Sequence, residues 1–171
     1  MAKGPRYAVQ FRRKREGRTN YAKRLKMLRA KLPRLIVRKS NKYITVQISE
    51  FDPKGDKTLI TVHSSELKKE NWKYGRKNTP AAYLTGIIAA KKAKEKKIEN
   101  AIFDMGAYAP TKGAKLFAAL KGAVDGGLKI SFDSKVMPAE KRIEGLHIAE
   151  FLKKPELSRD FAQIKQKLLG S

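Results

Sequence analysis

An α/β domain, with helices packed on a mixed sheet and an extension at each end, is the architecture this sequence predicts. Three observations carry it. Apolar residues alternate with period two through much of residues 34–64. Two later segments, after Asn78 and after Thr111, hold apolar stripes at helical spacing with a short apolar run between them. The charge is lopsided: residues 1–34 carry thirteen Lys or Arg and one acid, against a net +9 over 35–133 and +3 over 134–171. A basic arm (1–33), a globular domain (34–133) and a helical C-terminal extension (134–171) follow from that division.

The arm shows no strand alternation. Tyr21, Leu25, Leu28 and Leu32 follow an i, i+4, i+7 pattern, so a basic helix is expected from an Asn20 cap up to Pro33. Like charges at i, i+4 weaken such a helix in water, so part of the arm is expected to order only on its partner.

Three strands come next. RLIVRK is β-rich, and Ser40-Asn41 suits a tight turn. In YITVQIS the residues Ile44, Val46 and Ile48 share one face. DPKGDK is a turn, and TLITVHS alternates again with Ile60 and Val62 on one side, giving an antiparallel meander. Residues 65–77 are polar and read as irregular with a helical turn. Trp72 and Tyr74 there are core-edge caps in one reading and base-stacking surfaces in the other.

Pro80 suits the first turn of a helix whose stripe is Tyr83, Leu84, Ile87 and Ile88. ENAIFDMG reads as a buried strand reached by a parallel crossover. Thr111 is the expected cap of the next helix, with Ala114, Phe117, Leu120 and Val124 inward and Gly126-Gly127 as its stop. LKISF is a candidate last strand. Short helices complete the chain, the clearest holding Phe161, Ile164 and Leu168 after a Ser158 cap.

Several function classes lack their residues. There is no cysteine, and His63 and His147 have no ligand partners at metal spacing. Phosphate-loop and nucleophile-elbow motifs are absent. GAVDGG lies at a helix end, the wrong end to cradle phosphate. A two-metal nuclease built on Glu50, Asp104 and Asp125 is the best enzymatic alternative, and only Asp104 near a strand end is suggestively placed. No apolar run reaches the roughly 18 residues a membrane span needs. A soluble, intracellular protein without a membrane partner, cofactor or metal is expected.

What remains is charge. Lys and Arg number 40 against 16 acids, for +24, and the pI is near 10.3. Such an excess repels itself in a compact fold and calls for a polyanionic partner. Arg12, Arg13, Lys14, Arg15, Arg18, Lys23, Arg24, Lys26 and Arg29 supply phosphate-directed charge. Arginine can both fork onto a phosphate and stack on a base. Tyr7, Phe11 and Tyr21 are spaced among them as stacking surfaces for unpaired bases. Composition alone does not separate RNA from DNA.

Four segments add a resemblance: GPRYAVQFRRKREGRTNYAKRLKML, RLIVRKSNKYITVQI, NTPAAYLTGIIAAKKA and FAALKGAVDGGLKI. They closely resemble the archaeal and eukaryotic branch of the eighteenth large-subunit family of the universal ribosomal proteins, and HIAEF with the helical tail is similar to its archaeal form. The resemblance implies a structural ribosomal protein, not an enzyme. It implies a three-layer α/β domain with ribonuclease H-like topology that lacks the catalytic carboxylates. It further implies binding of 5S ribosomal RNA in the central protuberance, contacts with large-subunit rRNA and neighbouring 5S-associated proteins, and a cytoplasmic, ribosome-bound location. Carried over, the RNA-binding residues are Arg6, Tyr7, Phe11, Arg12, Arg13, Lys14, Arg15, Arg18, Thr19, Tyr21 and Arg24, followed by Arg38, Ser40, Asn41 and Lys42 on the strand turn. Eukaryotic members have a long basic C-terminal extension. The tail here carries only +3, so properties tied to that extension are not carried over.

Overall fold

The computed structural model describes residues 4–170. Two short helices form the arm, α1 (Arg12–Arg15) and α2 (Tyr21–Leu28). Asn20 caps α2 as expected, its side chain accepting the Lys23 N–H at 3.0 Å. The helix stops at Leu28, short of Pro33, because Lys31 takes a left-handed φ of 53° that a helix cannot continue. Leu25 stays exposed on the helix, as does Leu32 beyond its end.

Strands β1 (Arg34–Lys39), β2 (Ile44–Glu50) and β3 (Lys57–His63) form the antiparallel meander. One side carries Leu35, Val37, Ile44, Val46, Ile48, Ile60 and Val62, all buried. The period-two pattern thus sets both the register and the core face.

Helix α3 (Thr79–Glu95) covers that face. Asn78 caps it and Pro80 lies in its first turn. It returns the chain to β4 (Ile102–Asp104), which pairs parallel with β1 and completes a mixed sheet ordered β3-β2-β1-β4. Only three residues of ENAIFDMG are strand. Helix α4 (Lys115–Asp125) packs against α3. The two axes approach closely at Gly86, which faces Ala119 and Ala123, and at Gly122, which faces the Tyr83 backbone. Thr111 is not the α4 cap. The helix starts after Ala114, whose N–H donates to the Thr111 carbonyl at 3.1 Å. Gly127, at φ 105°, ends it as expected.

LKISF is not a strand. Lys129 makes a single parallel bridge to Asn100, while Leu128 and Ile130 are buried without a ladder. The apolar pattern there reported burial rather than pairing.

Three helices complete the described chain: α5 (Glu140–Ile143), α6 (Leu146–Leu152) and α7 (Glu156–Leu169). Ser158 lies inside α7 instead of capping it, since Pro155, at φ −65°, already supplies the helix start. Phe161, Ile164 and Leu168 are buried as the spacing predicts, and Phe161 meets Tyr83 of α3 at 5.6 Å between ring centres. The tail therefore shares the core. Phe161→Ala is expected to cost about 3–5 kcal/mol in a chemical denaturation experiment, because the ring is buried against Tyr83.

Candidate nucleic-acid interface

The alternation that buries one sheet face leaves a polar face opposite. Arg34, Ile36 and Arg38 of β1 lie there, across from Ser49, Gln47 and Thr45 of β2. Asp104 joins them from β4, in register with Ile36. The Gln47 amide donates to Thr61 Oγ1 at 3.2 Å, and Ser49 and Thr58 share a hydrogen bond of 3.3 Å.

Arg34 is 3% exposed, and a charge so placed requires counter-charges. It has two. Its Nη1 donates to Asp104 Oδ2 at 3.0 Å, and its Nη2 donates to Asp56. Asp104 also accepts the Gly106 N–H at 2.7 Å and lies 3.6 Å from Arg38 Nη2. Asp56 accepts a two-pronged contact from Arg24 of α2, at 2.7 and 2.9 Å. Burial works to raise the Asp56 pKa, but the hydrogen bond from Arg24 and the charge of Arg34 outweigh it and hold the carboxyl below its ordinary value. Arg24, Asp56, Arg34, Asp104 and Arg38 thus form one alternating chain from the arm to β4.

This chain sets α2 beside the polar face and leaves a cleft of about 280 Å³ between them. Arg13, Arg18, Thr19 and Arg24 line it from the arm, and Arg38 lines it from β1. Residues some 20 apart in sequence thereby share one basic concavity. The arm also has contacts of its own. Glu16 pairs with Arg12 at 2.7 Å and Arg18 at 3.0 Å, and Arg13 Nε donates to Thr19 Oγ1 at 2.9 Å.

Lys14 and Arg15 are exposed, as are Arg6 and Tyr7. Phe11, 73% exposed, leans on Tyr21 with ring centres 5.5 Å apart. Beside Tyr21 a second groove of about 490 Å³ runs between the arm and residues 106–108, with Lys14, Lys23 and Tyr108 on its walls. Lys39 stands 4.9 Å over the Tyr108 ring. Ser40, Asn41 and Lys42 are exposed on the β1–β2 turn and do not line the cleft. Farther along, Arg76 lies 5.4 Å from the Tyr43 ring centre. Burial and repulsion from Lys77, Lys39 and Arg142 pull the Lys115 pKa down.

Sequence reasoning missed Arg34, Asp56, Tyr108 and Arg76. Asp56 looked like an ordinary turn residue, and only its being an acid in so basic a chain hinted otherwise. Trp72 and Tyr74 are core-edge residues. Trp72 is buried with its Nε1–H donating to the Gly75 carbonyl at 3.1 Å. Tyr74 donates to Asp160 at 3.0 Å, and burial with that bond pushes its pKa up to about 12.

The carboxylates of the nuclease alternative are dispersed. Glu50 is exposed at the end of β2, and Asp104 is buried on Arg34. Asp125, on α4, accepts from Tyr83 at 2.8 Å and pairs with Lys121 at 2.9 Å. Among the described residues no three His, Cys, Asp or Glu side chains are grouped to hold a metal, and no helix is long and apolar enough to cross a membrane.

Comparison with known proteins gives the chain a family. The profile of a family described as ribosomal large subunit proteins 60S L5 and 50S L18 matches residues 5–100 and 92–133. The large ribosomal subunit protein uL18 of Korarchaeum cryptofilum is 47% identical over 166 residues, covering 95% of this chain and 85% of that protein. Its counterpart in Methanoregula boonei is 50% identical over 154 residues, covering 90% and 88%. That of Desulfurococcus amylolyticus is 52% identical over 154 residues, covering 90% and 79%.

Proposed function

The chain belongs to the family of ribosomal large subunit proteins 60S L5 and 50S L18, in its archaeal uL18 form, and from that premise we propose that it binds 5S ribosomal RNA and anchors it in the central protuberance. The family is structural and not enzymatic. The chain is accordingly a ribosomal structural constituent, working in the cytoplasm on the large subunit, with large-subunit rRNA and adjoining 5S-associated proteins as further partners. The ribonuclease H-like, three-layer topology belongs to the same reading. The order β3-β2-β1-β4 with a parallel β1–β4 pair supports it.

The observation that carries the proposal is the convergence of Arg13, Arg18, Arg24 and Arg38 on one cleft beside an exposed aromatic pair. Phosphate oxygens suit the guanidiniums of Arg13, Arg18 and Arg38, with the fork of Arg24 engaged by Asp56, and unpaired bases suit Phe11, Tyr21 and Tyr7. The exposed charges of Arg6, Arg12, Lys14 and Arg15 extend the track along the arm. Ser40, Asn41 and Lys42 serve as a separate contact on the turn.

A salt-series titration against purified 5S rRNA tests this, with tRNA and duplex DNA as competitors. With about eight phosphates neutralised, log K is expected to fall against log salt with a slope of about −6 to −7. Binding that resists both competitors supports 5S RNA as the partner. Equal binding to all three refutes it.

A further inference from the structure

Asp56 is an acid in the middle of a basic surface, and long-range electrostatics alone would count it against binding any polyanion. Its geometry says otherwise. Among the described residues, the side-chain hydrogen bonds that join residues 4–31 to the sheet are the two from Arg24 to Asp56. The pair is half-buried, with 30% and 22% of the two side chains exposed, and Asp56 is itself braced by Arg34. A two-pronged guanidinium–carboxylate contact fixes orientation as well as distance.

We propose that Asp56 is a positioning residue for RNA binding, which latches Arg24 so that α2 is held across the polar sheet face and Arg13, Arg18 and Arg38 converge on one backbone phosphate. The proposal rests on the RNA-binding reading above and adds to it a residue that touches no RNA. An arm already held in place does not have to be ordered on binding, and affinity rises by the ordering cost avoided. A carboxylate in the interface thus strengthens the specific complex. Non-specific polyanions, which need no particular arm geometry, still feel Asp56 only as repulsion.

The two effects have opposite signs, which makes the test sharp. Full-length protein, Asp56→Asn and Asp56→Glu are titrated against 5S rRNA and against random-sequence duplex DNA. Amide hydrogen exchange is followed across residues 20–31 without RNA. Asp56→Asn is expected to bind 5S rRNA about tenfold more weakly, or ~1.4 kcal/mol. It should bind the duplex equally or more tightly, and exchange faster in α2 than the native protein. Asp56→Glu, which keeps the charge and the fork, is expected to recover most of the 5S affinity.

Asp56→Asn binding 5S rRNA as tightly as native protein overturns the proposal. So does a parallel loss for both nucleic acids with exchange quickened throughout the sheet, which marks a general structural role. Should Asp56→Asn fail to fold, Arg24→Leu cuts the latch and leaves Asp56 on Arg34. Native exchange in its α2 overturns the proposal equally. If native protein does not prefer 5S rRNA to tRNA, the partner reading fails, while the exchange result still decides the latch.

Discussion

Deleting residues 1–31 is expected to weaken 5S rRNA binding about a thousandfold or more, ~4 kcal/mol, and to leave the domain folded. The two halves of that expectation have separate grounds. Neither α1 nor α2 contributes a buried residue, so the core of the domain loses nothing. The deletion spares Pro33, whose carbonyl accepts the Ile102 N–H at 2.9 Å beside β4. Meanwhile it removes twelve of the thirteen basic residues counted over 1–34, all but Arg34. A protein making several phosphate contacts draws much of its affinity from them. Filter binding gives the affinity, and thermal unfolding should show a midpoint within a few degrees of native. A truncated protein that binds within tenfold of native would move the interface onto the sheet and turn.

Gly122→Ala is expected to destabilise the domain by about 3 kcal/mol or more, a large part of an ordinary domain's 5–15 kcal/mol. A methyl group there would fall 2.8 Å from the Tyr83 carbonyl carbon, and still nearer its oxygen. The obstacle is helix backbone, so no side chain can swing aside and α3 and α4 must part. That moves every contact along the pair. Gly75→Ala is the control. Its new methyl would meet only the Asn78 amide, at 3.8 Å, and the change should stay within about 0.5 kcal/mol. Denaturant midpoints of the two variants, compared at equal m-value, decide the matter.

Much of this was legible locally. The alternation of Ile44, Val46 and Ile48 carried the sheet face, and Asn78 with Pro80 carried the start of α3, because each rests on neighbours within one turn or one strand. The misses share a cause. Lys129 bridges only at Asn100, and nothing in LKISF itself says that a partner strand is lacking. Ser158 has the right chemistry for a cap, but Pro155 pre-empts it by fixing its own φ. The candidate site was legible as composition and not as geometry. The arm's arginines stood out, while Asp56, which holds Arg24, lies 32 residues from it, and Arg34 lies 22 and 70 residues from its two carboxylates. Asp104 drew notice as an acid near a strand end, and the structure makes it the counter-ion of Arg34. A window that reads periodicity cannot read such pairs.

The same separations favour one order of assembly. Arg34 reaches Asp56 across 22 residues and Asp104 across 70, and closing the longer loop costs about 1 kcal/mol more in chain entropy. Arg24 reaches Asp56 across 32. Everything needed to seat the arm is therefore present once the first 63 residues, through the end of β3, have been made. Strand β4 and the helices that seal the core come later in the chain. In that order Arg34 would have one carboxylate before β4 closes over it, and its charge would not be enclosed bare. A growing chain can thus build its basic edge before its interior, because contacts of smaller sequence separation form sooner than those of larger separation.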